Sequence, residues 1–320
     1  MRSVAGSLRG GLFGLPLSEV EGDRRGFRPG AARPRLDRVA KCVVHAYNLG
    51  LQSGDPEHLG FLLEMLEPEL RGFAYEGGAM GMVTADLWGI SRNRLERYVQ
   101  GPAANHAYMS YVGAGLALGI FHRNPLTYME RLDPFTKWLV LNGYGFCHGY
   151  FSTARAIEKQ VVPARITGPA ARAYDAGLGR ALWFVDAAQP EALAKTVARF
   201  EPQRHAALWS GIGLACAYAS GIDRQQLVAL RQAAGAHSPW LAQGAVLAAH
   251  TRHVAQNSAP HVELACEVIC EMSALQAHRI AEQTMEDLRG RDRVGDQTAW
   301  ELWLTRLLAH LPEPTPAATA

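Results

Sequence analysis

RLDRVAKCVVHAYNLGLQS, the stretch Arg35–Ser53, decides the fold class. Leu36, Val39, Val43, Ala46, Tyr47 and Gly50 fall on one stripe of a 3.6-residue period, the pattern of a helix with one buried face. Working outward, the same period covers Pro56–Leu66, Phe73–Trp88, Asn105–Phe121, Phe135–Ala156, Ala170–Ala187 and Pro190–Phe200. It continues through Ala206–Ser220, Gln225–Ala234, Pro239–Gln256, His261–Glu271, Ala274–Leu288 and Gln297–His310. Pro56, Pro134, Pro190 and Pro239 sit where a first helical turn needs no N–H donor. Alternating strand patterns are scarce, and Val161–Ile166 is the best strand candidate. The expectation is an all-α, multi-helix globular bundle.

A weak internal repeat divides that bundle. At an offset of about 134 residues, Asp55-Pro56-Glu57-His58-Leu59 aligns with Gln189-Pro190-Glu191-Ala192-Leu193, and Glu67-Pro68 with Glu201-Pro202. Two related helical halves are one account and coincidence between proline-started helices is the other. The divisions expected are an N-terminal extension (1–30), helical half one (31–160), helical half two (161–311) and a disordered Pro/Ala/Thr-rich tail (312–320).

Composition narrows the class of protein. The 320 residues are 48% hydrophobic and 19% charged, an ordinary globular mixture. A net charge of +2 gives no field suited to nucleic acid. Five cysteines (Cys42, Cys147, Cys216, Cys266 and Cys270) lie mostly in apolar runs without a CxxC, as reduced thiols of a cytoplasmic protein do. Arg9 and several glycines interrupt any signal-peptide core, and no apolar run is long enough to span a bilayer.

Common catalytic motifs are missing. There is no phosphate-binding GxxxxGK[ST], no HExxH, no GxSxG and no aspartate-rich cluster for a diphosphate-bound metal. What stands out instead is glycine inside predicted helices, at Gly77, Gly78 and Gly81, at Gly113, Gly115 and Gly119, at Gly143, Gly145 and Gly149, and at Gly211 and Gly213. Each costs about 0.5–1 kcal/mol against alanine. Tight helix contact or a ligand-lined cavity would account for it.

Three places could carry chemistry. Glu76 stands between Tyr75 and Gly77 in an apolar run, where desolvation would raise its pKa toward general acid–base use; an ion pair with Arg71 or another arginine is the plainer reading. His148 and Tyr150 are flanked by glycines and aromatics, which suits a proton relay or a satisfied core histidine. Cys147 diverges from His148 by about 100° on a helix, which disfavours a nucleophile pair. His250 and His253, with Asn257, His261, Glu263 and Glu267 nearby, carry a weak metal-site signal, and no metal is assigned. Asp175, Arg180 and Trp183 are notable. Trp183, Trp209, Tyr218 and Trp240 could line an aromatic cavity or be plain core. His58, His237, His278 and His310 read as surface.

Several long motifs, in one order from about Gly26 to Ile280, resemble the UnbL-type proteins of enediyne biosynthesis. They are RGFR at 25–28, RGFAYEG at 71–77, GYGF at 143–146, GYF at 149–151, GLGRALWF at 177–184, LWSGIGLACAYA at 208–219 and LAQGA at 241–245. The resemblance implies a protein encoded beside an iterative polyketide synthase, helping to convert a linear polyene into an enediyne core. Relatives outside such clusters imply that another substrate fits a paralogue. This chain departs from the family's Gly-Phe-His-Glu-Gly-Tyr-Phe at Cys147 and His148, which puts the family's protonation chemistry in doubt here.

Two functions follow. One is a cyclase or isomerase that remodels a linear polyene, polyketide or terpenoid, with Glu76, His148 and Tyr150 as catalytic candidates. The substrate would meet Tyr75, Gly77, Trp183, Trp209, Tyr218, Trp240 and Gln243. The other is a non-catalytic carrier that shields such an intermediate and docks on its synthase. The cofactor is left unassigned, and a second copy of the chain is a further candidate partner.

Overall fold

The computed structural model describes residues 4–89 and 92–314. Its first eight helices are α1 (Val4–Phe13), α2 (Arg33–Ser53), α3 (Pro56–Glu64), α4 (Pro68–Leu87), α5 (Arg94–Gln100), α6 (Ala107–Ile120), α7 (Pro125–Met129) and α8 (Leu139–Phe151). The second eight are α9 (Pro169–Val185), α10 (Pro190–Val197), α11 (Pro202–Ala219), α12 (Arg224–Ala234), α13 (Ser238–Val254), α14 (Pro260–Ala265), α15 (Ala274–Met285) and α16 (Ala299–Leu308). The only strands among the described residues are β1 (Arg293–Val294) and β2 (Gln297–Thr298), a two-residue antiparallel hairpin. The chain is therefore an all-α, multi-helix globular bundle. No described helix is long and apolar enough to cross a membrane.

Eight helices stand side by side in the order α2, α4, α6, α8, α9, α11, α13, α15, each packed on the next. Paired glycines set the spacing. Residues i and i+2 of a helix point about 200° apart, so a Gly-x-Gly pair notches two opposite sides. A Cβ on Gly113 would lie 2.0 Å from the Glu76 carbonyl of α4, and one on Gly115 2.0 Å from the Val140 carbonyl of α8. Gly143 and Gly145 repeat this between α6 and α9, Gly177 and Gly179 between α8 and α11, and Gly211 and Gly213 between α9 and α13. Backbones meet directly there, with Cα–H groups against carbonyls, and that contact offsets the helix-propensity cost.

The row curls back on itself. Phe73 of α4 meets Tyr218 of α11 edge-on at 5.0 Å between ring centroids. Arg35 of α2 donates to the Ala219 carbonyl closing α11, at 3.0 Å. One hydrophobic core runs from Val20 to Leu307 through both halves. Glu67 and Glu201 precede the prolines that start α4 and α11, with φ/ψ of −51°/130° and −56°/136°, the extended conformation a following proline imposes.

Arginine closes helix ends. Arg25 donates to Tyr150 and Phe151 at the end of α8, and Arg33 to Phe184 at the end of α9. Arg252, fully buried, donates to the carbonyls of Glu69, Asn257 and Tyr218. A planar fork of donors suits the carbonyls at the ends of α8, α9 and α11 better than an ammonium group does.

Some expectations are corrected. Val161–Ile166 is no strand: Val161 N–H closes back on Arg155, Ile166 N–H turns back to Pro163, and Pro163 offers no donor for a ladder. Pro134 lies in a turn, and α8 starts later, at Leu139. The last helix begins at Ala299, capped by Thr298, because the hairpin occupies the residues before it. Within the expected N-terminal extension, α1 packs on α2, and Phe13 stacks on Trp88. Of the expected tail, residues 315–320 lie outside the described residues.

Candidate functional site

Glu76 sits mid-way along α4, where the helix is buried on every side because neighbours flank it and the curl closes over it. It is 2% exposed, and its Oε1 lies 3.5 Å from Nη2 of Arg180 on α9. Arg180 Nη1 donates to Asn142 Oδ1 of α8 at 2.8 Å, and the guanidinium lies 5.1 Å from the Phe146 ring centroid. Burial raises the Glu76 carboxyl above the ordinary glutamate range, and Arg180 works against that rise. The plainer reading, an arginine ion pair, describes this contact, with Arg180 as the partner and not Arg71, which pairs with Glu64 at 2.9 Å.

These two charges face an interior cavity bounded by α2, α4, α6, α8, α9 and α11, with Phe73, Phe146, Tyr150 and Tyr218 in its wall. Its volume is about 40 Å³. At about 10–15 Å³ per water, it takes about three or four waters and not a polyene chain.

A larger space lies on the far side of Asn142. A cleft of about 570 Å³ opens between α8, α9, α11, α13, the hairpin and α16. Trp138, Trp240 and Trp300 line it with leucines, while Asn142, Ser210 and Gln243 supply uncharged polar groups. Ser210 donates to Gln243 Oε1 at 2.9 Å, and Gln243 Nε2 donates to the Leu304 carbonyl at 2.8 Å, tying α11, α13 and α16 together. The exposed Arg172 pairs with Glu301 from α9 to α16 and both line the cleft. Leu214 belongs to both walls, and the Arg180–Asn142 contact joins a residue of the cavity to one of the cleft.

The residues singled out from sequence fall into three groups. Glu76, Tyr150 and Tyr218 meet at the inner cavity, and Trp240 and Gln243 line the cleft. Tyr75, Gly77, Trp183, Trp209 and His148 line neither. Tyr75 donates to Glu64 at 2.8 Å and stacks on His106. Gly77 is a packing notch, its Cβ direction 2.1 Å from the Val43 carbonyl. Trp183 donates to the Ser220 carbonyl at 3.1 Å, and Trp209 is buried. The Tyr150 hydroxyl is committed to the Val20 carbonyl at 2.6 Å, so only its ring serves the cavity.

His148 points away from Glu76, with Nδ1 3.1 Å from the Tyr174 hydroxyl, and burial lowers its pKa to about 4. Cys147 faces the Gly119 notch instead, and burial pushes its thiol up to about 12, so the two side chains diverge. The His250 group does not assemble as spaced in sequence. His261 lies 3.3 Å from the Tyr218 carbonyl, Glu263 accepts from the Ala274 N–H, and Glu267 pairs with Arg224. His278, read as surface, is half-buried against His250 and His253.

Sequence reasoning missed the cleft residues Asn142, Ser210, Trp138 and Trp300. Asn142 and Ser210 each precede a Gly-x-Gly pair, which is the one local signal they carry. Trp300 had none beyond its apolar helix.

No curated protein and no solved structure matches the chain. The profile of one family, described as "Protein of unknown function (DUF1702)", matches residues 4–311. That span takes in the glycine-notched row, both cavities and α16, and the chain belongs to the DUF1702 family.

Proposed function

We propose that the chain binds a linear apolar molecule, a polyene or terpenoid intermediate of natural-product assembly, and shields it from water. The carrying observation is the 570 Å³ cleft with indole faces on its walls. Its size lies in the usual range for small-molecule sites, about 300–1,000 Å³. Asn142, Ser210 and Gln243 can orient a carbonyl or hydroxyl without charge. The likeness of RGFAYEG at 71–77 and LWSGIGLACAYA at 208–219 to the UnbL-type proteins supports a polyketide-derived polyene and docking on its synthase. Five free thiols support a reducing cytoplasm.

A second reading is that the chain also cyclises or isomerises what it binds. One contact favours it: Asn142 lines the cleft and holds Arg180, which faces Glu76, so a proton change at Glu76 reaches the cleft wall through two contacts.

Tryptophan emission tests both, since three indoles line the cleft. A synthetic linear polyene should quench it saturably, and Ala207→Trp, which fills the cleft wall from a half-buried position, should weaken binding at least tenfold. Unaltered quenching in Ala207→Trp, or none in the parent protein, sinks the proposal. Product formed by the parent and lost in Glu76→Gln with binding retained assigns an enzyme; binding without product assigns a carrier.

A further inference from the structure

Outside both cavities, α13 and α15 bring three ligating side chains together. His250 Nδ1 lies 3.2 Å from His278 Nδ1 and 3.6 Å from Glu282 Oε1. Each of the three residues offers a ligand atom within 4.8 Å of the others. His278 and Glu282 are one helical turn apart on α15, so they share the face that α13 packs against. We propose that His250, His278 and Glu282 form a binding site for a divalent ion of the zinc class, with at least one coordination position left to water or another ligand.

Ligand bonds of about 2.0–2.1 Å in a tetrahedral site set the donor atoms about 3.3–3.4 Å apart. The two measured separations bracket that value. The ring planes of His250 and His278 differ by 14°, with centroids 5.3 Å apart, so the two Nδ1 atoms meet edge to edge. Two imidazoles and one carboxylate make a donor set for zinc, cobalt or iron and not for magnesium or calcium.

Neighbours orient each ligand, as outer-shell partners do in metal sites. The Tyr108 hydroxyl lies 3.2 Å from His250 Nε2 and can accept its proton, the tautomer in which the Nδ1 lone pair faces His278. Arg289 pairs with Glu282 Oε2 and leaves Oε1 turned inward. His253 stacks on a face of His278 at 3.8 Å between centroids. The His250 side chain is 1% exposed while that of Glu282 is 33% exposed. The site is thus anchored in the core and open on one side.

The competing account is a bare hydrogen bond between two imidazoles. It explains the 3.2 Å contact but gives Glu282 Oε1, at 3.6 Å, no bond to either ring.

The test uses the full chain stripped with a chelator and titrated with Zn²⁺ and with Co²⁺. One equivalent should bind, with the visible absorption of a low-coordinate cobalt site, and zinc should displace cobalt. His278→Ala and Glu282→Gln, both at part-exposed positions that leave the fold intact, should each weaken binding at least tenfold and bleach the cobalt spectrum. Tyr108→Phe should weaken it less, and His58→Ala, at an exposed histidine elsewhere, should change nothing. Binding in His278→Ala/Glu282→Gln as tight as in the parent protein overturns the proposal. So does failure of the parent protein to take up either ion.

Discussion

Glu76 and Arg180 are worth more as a pair than as separate charges. Each is almost fully buried, and their 3.5 Å contact is what lets a carboxyl and a guanidinium share that interior. Removing one partner leaves a charge without compensation, at a cost of about 3–5 kcal/mol, whereas removing both can be near neutral. Arg180→Met keeps the stem over Phe146 but strips the charge, so it should lose stability of that order at pH 7. Glu76→Gln/Arg180→Met should recover much of it. The pH dependence has a definite sign. Burial raises the folded carboxyl's pKa, and loss of Arg180 raises it further. Such a group contributes stability below its unfolded pKa, about 4.3, and loses it as pH rises through the folded pKa. The deficit of Arg180→Met against the parent should therefore shrink as pH falls. Urea titrations of the parent and both variants at pH 7 and pH 5 read this directly, and a deficit that grows in acid is the opposite result.

Elements in this bundle are spaced by what their sequences omit. Gly113 and Gly115 let α6 touch α4 and α8 backbone to backbone, so a methyl group on either pushes two helices apart. Gly113→Ala should cost about 1–3 kcal/mol by overpacking, despite alanine's better helix propensity. Gly11→Ala in α1, where a Cβ meets nothing within 4 Å, should gain up to about 1 kcal/mol. Opposite shifts in thermal melting separate packing from propensity, and like-signed shifts would show the notches to be incidental. The same contrast explains what was readable in advance. A 3.6-residue stripe such as Leu36–Gly50 depends only on local geometry, so the helices could be read from it. Glycine spacing announced close contact but not the partner, because the carbonyl that Gly145 meets belongs to Tyr174, on the next helix in the row. Trp240 and Gln243 could be named singly, whereas the cleft they share with Trp300 exists only once α16 folds back. His278 read as surface because its burial comes from α13, more than twenty residues earlier.

At the scale of the whole molecule, burying so much of the chain leaves imidazoles in dry places that line neither cavity. His106 stacks on Tyr75 beside α5, His148 lies between Tyr144 and Tyr174, and His261 sits against the end of α11. Burial lowers each of the three to about 4, with arginines nearby adding to the effect at all of them. In the unfolded chain each titrates near 6.5. Unfolding between these values therefore takes up protons, and stability present above pH 6.5 drains away as pH falls toward 4. The buried carboxyls of Asp86, Asp175 and Asp186, raised by burial, act in the opposite sense at the acid end. Between pH 6 and 5, where the histidines of the unfolded chain charge, the slope should be set by the imidazoles, at up to about 1.4 kcal/mol per pH unit for each. His148→Gln removes one of them without touching the inner cavity or the cleft. Its stability should fall less steeply over that interval than the parent's, by as much as one proton's worth. Parallel slopes in the two proteins, measured by urea unfolding at half-unit steps, would mean that His148 is already charged in the fold and that its contact with Tyr174 is open to water.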